Sequence, residues 1–153
     1  MIAVLTRIPE RGVRVEGEEP PGVLELEEDP IAREESPVRW ELELQLVSRE
    51  LVVRGSVSAG VRLRCARCGD FFSTTLQDSS FLRGYPVDEG IAEVDITPDL
   101  REALLLNLEA YSLCRPECRG ICPQCGKNLN EGPCGCRPEE GPGPWDELDN
   151  LNL

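Results

Sequence analysis

Eight cysteines, spaced in four close pairs, are the residues of this chain best suited to chemistry. The pairs are Cys65-Ala66-Arg67-Cys68, Cys114-x-x-x-Cys118, Cys122-Pro123-Gln124-Cys125 and Cys134-Gly135-Cys136. Thiolates hold Zn²⁺ at ~2.3 Å in closed tetrahedral sites, and short spacings let neighbouring sulfurs converge without closing a long loop. Four pairs make two such sites, so zinc, two ions per chain, is the expected cofactor. Cys68 and Cys125 are each followed by a glycine, Gly69 and Gly126, where the missing Cβ lets the backbone turn and aim N–H groups at sulfur. If each of these knuckles anchors its own site, Cys122, Cys125, Cys134 and Cys136 close locally. Cys65, Cys68, Cys114 and Cys118 then close across 45 intervening residues. The other grouping joins Cys114, Cys118, Cys122 and Cys125, and leaves Cys65, Cys68, Cys134 and Cys136 for the second site; spacing alone keeps both open.

Two other chemistries use the same residues. A CxxC pair can cycle between dithiol and disulfide, but the favoured setting is a pair opening a helix after a strand, and the flanks of Cys65 and Cys122 lack that pattern. Four thiolates can also hold an iron–sulfur cluster. Catalysis is disfavoured by composition: the chain has no histidine, hence no imidazole base and no usual catalytic zinc ligand set. No GxGxxG or P-loop pattern occurs, and neither an enzyme nor a small-molecule substrate is expected. Zinc also has an energetic rationale. From Cys114 to Arg137 the main apolar residues are Ile121 and Leu129, too few to offset ordering entropy, whereas structural zinc contributes on the order of 10–16 kcal/mol.

The charge balance restricts partners. With 16 basic against 29 acidic residues the net charge is −13, and each tetrathiolate zinc centre adds about two negative charges. Such a chain is poorly suited to broad contact with polyphosphate and better suited to a basic protein. Arg62, Arg64 and Arg67, joined by Arg115 and Arg119 if the pairs meet, form the one local basic island expected, beside the first site. The island either contacts a partner or screens the thiolate centre and nearby glutamates. No run approaches the roughly 18 apolar residues of a membrane span, and the start Met1-Ile2-Ala3-Val4-Leu5 is too short for a signal peptide, so a cytoplasmic, membrane-free protein is expected.

The elements that must position the cysteines are legible in part. Only 5% of residues are aromatic, so Leu and Val must build the core. Residues 12–37 carry nine acids and four prolines and read as a short strand in a loose acidic surface segment. Trp40, Leu42, Leu44 and Leu46 alternate with Glu41, Glu43 and Gln45, a strand with one wet face. Leu51, Val53, Gly55, Val57, Ala59, Val61, Leu63 and Cys65 hold every odd position, so one long strand, or a hairpin bent near Ser58–Gly60, delivers Cys65 at its end. A further strand is expected over Phe71–Leu76. Thr97-Pro98-Asp99 reads as a helix start capped by Thr97, with Leu100, Leu104, Leu108 and Tyr111 as its core stripe and its end just before Cys114. In the tail, residues 138–153, Trp145, Leu148 and Leu151 are spaced for one helical face after Pro144. The fold class is α+β: an antiparallel β-sheet, barrel-like or open, with one packed helix and a C-terminal zinc-ribbon-like module. The divisions are a β-rich domain 1–113, the cysteine-rich ribbon 114–137 and the acidic tail 138–153.

The runs VRGSVSAGVRLRCARCGDFF, from Val53 to Phe72, and CRPECRGICPQCGKNLN, from Cys114 to Asn130, together with the helix start Asp95-Ile96-Thr97-Pro98, resemble the YceD family. The resemblance spans Trp40 to Cys136. It implies a non-enzymatic role in ribosome biogenesis, supporting accumulation of large-subunit ribosomal RNA, with all eight cysteines as metal ligands. The last four are absent from some relatives, which suggests a stabilising ribbon. A ribosomal protein or assembly factor is the expected partner, with contact to rRNA at the arginine-flanked site; a thiol–disulfide redox protein is the alternative.

Overall fold

The structure, a computed structural model, describes residues 1–137. The predicted helical face in the acidic tail, residues 138–153, lies outside them.

Strand β1 (Ile2–Val4) leads through a single 3-10 turn into β2 (Val13–Glu19), β3 (Ala32–Glu34), β4 (Val38–Val47), β5 (Glu50–Arg64), β6 (Phe71–Pro86), β7 (Glu93–Asp95) and the helix α1 (Thr97–Leu105). All pairings are antiparallel. Strand β5 is the spine, one unbroken strand of 15 residues with its odd positions facing the core. One edge pairs with β6 along the whole length. The other edge pairs first with β4 and then with β3, and β2 closes the far side of β4. The sheet is open, and β1 with β7 forms a separate two-stranded ribbon.

Strands β3 and β4 are one extended run broken at Glu35-Ser36-Pro37. Proline lacks the N–H that the ladder needs. At the break the Glu35 and Ser36 amides both bond the Gly60 carbonyl, and the Ser36 hydroxyl takes the Gly60 N–H at 2.8 Å. Residues 12–37 are therefore not a loose segment with one strand. They supply β2 and β3, and Leu24 and Leu26 are buried in the core; the many acids conceal these apolar residues.

Strand β6 runs ten residues beyond the expected Leu76 because its alternation breaks. The register passes from Gly55 opposite Phe81 to Val57 opposite Asp78, so β6 carries an extra residue there. Leu76 faces inward at an even position, whereas Phe81 faces inward at an odd one. A bulge shifts parity in one strand while leaving its partner regular. On its other side Gly55 lets β4 approach closely, since a Cβ there would collide with the Glu41 carbonyl.

Helix α1 packs on β5 and β6 through Leu100, Ala103 and Leu104. It is shorter than its leucine spacing predicts. The Asn107 side-chain amide bonds the Ala103 carbonyl at 2.8 Å and ends the helical ladder. Leu108 still touches the core beyond the helix, but Tyr111 is 84% exposed and is no part of the stripe. Thr97 is not the cap either: Ile96 holds the N-cap position without a side-chain bond, and the Thr97 N–H bonds the Asp95 carboxylate at 2.9 Å. No helix among the described residues is long and apolar enough to cross a membrane.

The bulge makes a paired prediction. Phe81→Ala should cost about 3–5 kcal/mol in urea unfolding, whereas exposed Leu82→Ala should stay within about 0.5 kcal/mol. The opposite ranking would place the parity shift elsewhere.

Candidate metal centres

The long hairpin ends in the first cysteine pair, because the loop joining β5 to β6 is the run Cys65–Asp70. The Cys65 N–H bonds the Asp70 carbonyl, the Gly69 N–H bonds the Cys65 carbonyl, both at 2.9 Å, and Gly69 takes φ +79°. The second knuckle repeats the pattern. The Cys122 N–H bonds the Lys127 carbonyl and the Gly126 N–H bonds the Cys122 carbonyl, both at 2.8 Å, with Gly126 at φ +73°. Both expected glycine turns are thus the same structure, one of them built into the sheet and the other stabilised only by its surroundings.

The sulfurs gather into two groups: Cys65, Cys68, Cys114 and Cys118 in one, Cys122, Cys125, Cys134 and Cys136 in the other, each with all ligand atoms within 4.8 Å of one another. This is the grouping in which each knuckle anchors its own site. Within the first group the Cys65 and Cys118 sulfurs stand 3.7 Å apart, and those of Cys68 and Cys114 3.8 Å. A regular tetrahedron of sulfurs around one ion at ~2.3 Å has edges of about 3.8 Å. These separations fit a single metal ion. A multi-iron cluster, which stands between its thiolates, needs wider spacing. All eight cysteines are free thiols, and the two close contacts run between pairs rather than within a CxxC, unlike a redox dithiol. Both tetrads can hold a metal ion.

The surroundings of the first tetrad prepare its sulfurs. Burial disfavours a thiolate at Cys65, yet N–H groups of Cys114, Cys68 and Arg67 outweigh it and bring the thiol down to about 6. The Asn130 amide, 3.3 Å from the Cys118 sulfur, lowers that thiol as well. Burial and the neighbouring thiols raise Cys114, and burial pushes Cys68 up to about 12. In the second tetrad, bonds from the Cys125 and Gln124 N–H groups bring Cys122 down to about 6, while its neighbours push Cys136 up to about 12. Four close sulfurs cannot all ionise without a cation among them, and a divalent ion removes the conflict.

An asparagine clasp joins the two centres. Asn130 donates to Cys118 and accepts the Arg119 N–H at 2.9 Å; Asn128 accepts from Asn130 and donates to Asp70 at 2.7 Å. The hairpin that carries the second tetrad therefore also supports the first. Both asparagines stand in the sequence run that ends at Asn130, but residue type alone gives no sign of which sulfur they serve.

The five arginines divide by role. Arg64 bonds the Gly69 carbonyl at 3.0 Å and Arg67 the Cys118 carbonyl at 3.0 Å, tying both halves of the first centre. Arg62 lies beside Phe71, and Arg115 and Arg119 are exposed on the segment carrying the second cysteine pair.

Fold and site together define a class: a β-sheet protein with one helix and two four-cysteine centres, one seated in the sheet and one in a terminal ribbon. The second half of the chain matches the YceD family, whose sequence model, described as large ribosomal RNA subunit accumulation protein YceD, aligns with residues 82–152. Two similar proteins are named large ribosomal RNA subunit accumulation protein YCED homolog 1, chloroplastic. The Zea mays protein is 31% identical over 105 residues, covering 68% of this chain and 32% of its own length. The Arabidopsis thaliana protein is 25% identical over 156 residues, covering 76% and 49%. An uncharacterized protein of Mycobacterium tuberculosis is 34% identical over 122 residues, covering 71% and 58%. The chain thus spans between about a third and three fifths of the length of these relatives. No solved structure matches.

Asn130→Ala should weaken metal binding at the first tetrad by roughly 10–100-fold, as loss of an outer hydrogen bond to a ligand does. Competition with a chromogenic chelator measures it, and an unchanged first-site affinity would remove the clasp from the account.

Proposed function

We propose that this protein is a non-enzymatic factor of ribosome biogenesis that binds two structural zinc ions and supports accumulation of large-subunit ribosomal RNA in the cytoplasm. The observation that carries the reading is the gathering of eight thiols into two closed tetrads in a chain that matches a family described by that role. Four protein sulfurs leave a tetrahedral ion no open position for substrate, which favours structural metal over catalytic metal. Zinc suits such a site because it is redox-inert and takes tetrahedral thiolate geometry without a competing preference. In this reading the ribbon 114–137 holds its shape through metal, and the β-rich part presents the surface.

The surface supports a basic partner. Glu16, Glu18, Glu41 and Glu43 fall on strands β2 and β4, and the net charge is −13. A ribosomal protein or an assembly factor rich in Lys and Arg would meet that face with fast, salt-sensitive association. Ribosomal RNA would come within reach of the arginine-flanked first centre.

Capture of partners from lysate by the tagged, metal-loaded chain across a salt series tests this. Large-subunit ribosomal proteins or precursor rRNA should be recovered at low salt and lost as salt rises. Recovery of neither, together with normal mature large-subunit rRNA after depletion of the protein, would overturn the reading.

A further inference from the structure

The outer face of β3, β5 and β6 beside the first tetrad carries an arrangement that folding alone does not call for. Arg33 stands directly opposite Arg62 in the β3–β5 register, and Arg64 stands opposite Phe71 in the β5–β6 register. Like charges facing each other across strands are destabilising. Here they are held together by an aromatic ring, with the Arg33 guanidinium 4.8 Å and the Arg62 guanidinium 5.9 Å from the centroid of Phe71. Stacking fixes both planar groups in advance.

The arginines of this face form no ion pair among the described residues. Elsewhere Arg39 pairs with Glu18, Arg49 with Asp88, Arg54 with Glu43, Arg83 with Asp99 and Arg101 with Glu25. Among the described residues, Arg33, Arg62, Arg64 and Arg67 have no carboxylate within 4.0 Å, in a chain with 29 acids to offer. The nearby carboxylates are engaged otherwise. Glu34 accepts the N–H groups of Gly22 and Leu24, Glu35 accepts from Ser73, and Asp70 accepts from Asn128. The acidic face centred on Glu41 and Glu43 meets β5 at Ser56 and Arg54. At ~3.3 Å per residue this lies about 20 Å or more from Arg62, beyond the ~8–10 Å over which salt leaves such repulsion effective.

We propose that this face binds the phosphate backbone of single-stranded RNA, with Arg33 and Arg62 as the clamp and Arg64 and Arg67 at the side facing the tetrad. The proposal rests on the ribosomal reading and adds to it the surface and the ligand. Arg62 and Arg64, two residues apart on one strand, stand about 6.6 Å apart along its axis, close to the spacing of successive phosphates on an extended strand. Exposed Thr75 and Gln77 continue the same face along β6, offering neutral donors and acceptors to ribose hydroxyls. Phe71 and the guanidinium planes provide stacking surfaces of the kind single-stranded binders use.

Fluorescence anisotropy of a labelled single-stranded fragment of large-subunit rRNA, titrated with the metal-loaded full chain at several salt concentrations, tests the proposal. The double variant Arg33→Gln/Arg62→Gln should bind at least tenfold more weakly and reduce the steepness of the salt dependence by about 1.4, the value for two lost phosphate contacts. Arg54→Gln should change neither. Equal metal content and thiol protection in all three proteins establishes that the centres are intact. Unchanged affinity and slope in the double variant would overturn the proposal, as would wild-type binding to polyglutamate in place of RNA. Recovery of ribosomal proteins from lysate by the double variant would then leave the ribosomal reading standing while this surface is discarded.

Discussion

Convergence of four thiols on a point is the constraint on which the rest of this structure depends. Sulfurs 3.7–3.8 Å apart are too distant for a disulfide and too close to carry four charges unaided. A cation resolves the conflict, and the chain is shaped to receive one twice. The second tetrad has little else to hold it, since its hairpin has a single isolated bridge, Ile121 with Asn128, and no buried apolar residue of its own except Cys122. The first tetrad is better supported. Its loop closes a hairpin with the longest ladder in the molecule, and Cys65, Cys68 and Cys118 pack as a small core with Phe72 and Leu113.

The two centres are unequal yet connected. Strand β5 delivers Cys65 from a rigid spine, while the segment after α1 returns Cys114 and Cys118 to it, docked by the Ala66 N–H on the Ser112 carbonyl. Gly120, in the left-handed region at φ +72°, lets the chain pass close to Arg67 on its way to the second knuckle. Asn128 and Asn130 then reach back from that knuckle to Asp70 and Cys118. The ribbon thus reaches onto the first centre as an outer layer rather than standing as an independent module.

How much of this was legible in the sequence follows from which physical rules act locally. Alternation in β4 and β5 exposed their inner faces, and Gly69 and Gly126 marked both knuckles, because these depend on the residues themselves. Leu24 and Leu26 were hidden by surrounding acids, although their burial is decided by what packs over them. The second half of β6 was lost because an extra residue moves its inner face from even to odd positions, and no count of apolar residues across the bulge restores the period. The leucine spacing after Pro98 overstated α1, since Asn107 ends it and Tyr111 turns to solvent. Of the arginines singled out beside the cysteines, Arg64 and Arg67 tie carbonyls of the first centre. Arg33 and Phe71, distant in sequence, joined the basic face only through strand pairing.

Charge, finally, is partitioned along the sheet rather than averaged over it. Arg39 and Arg54 are paired with Glu18 and Glu43 toward one end, and Arg33, Arg62, Arg64 and Arg67, which form no ion pair among the described residues, lie toward the first tetrad. Metal holding residues 112–137 in place would unite these features. The most direct measurement is native mass spectrometry under reducing conditions, followed by amide hydrogen exchange of that segment before and after chelation. Two zinc ions per chain, with protection of residues 112–137 lost on chelation while β4 and β5 stay protected, is the predicted result. A reduced, metal-free chain in which that segment remains equally protected would contradict it.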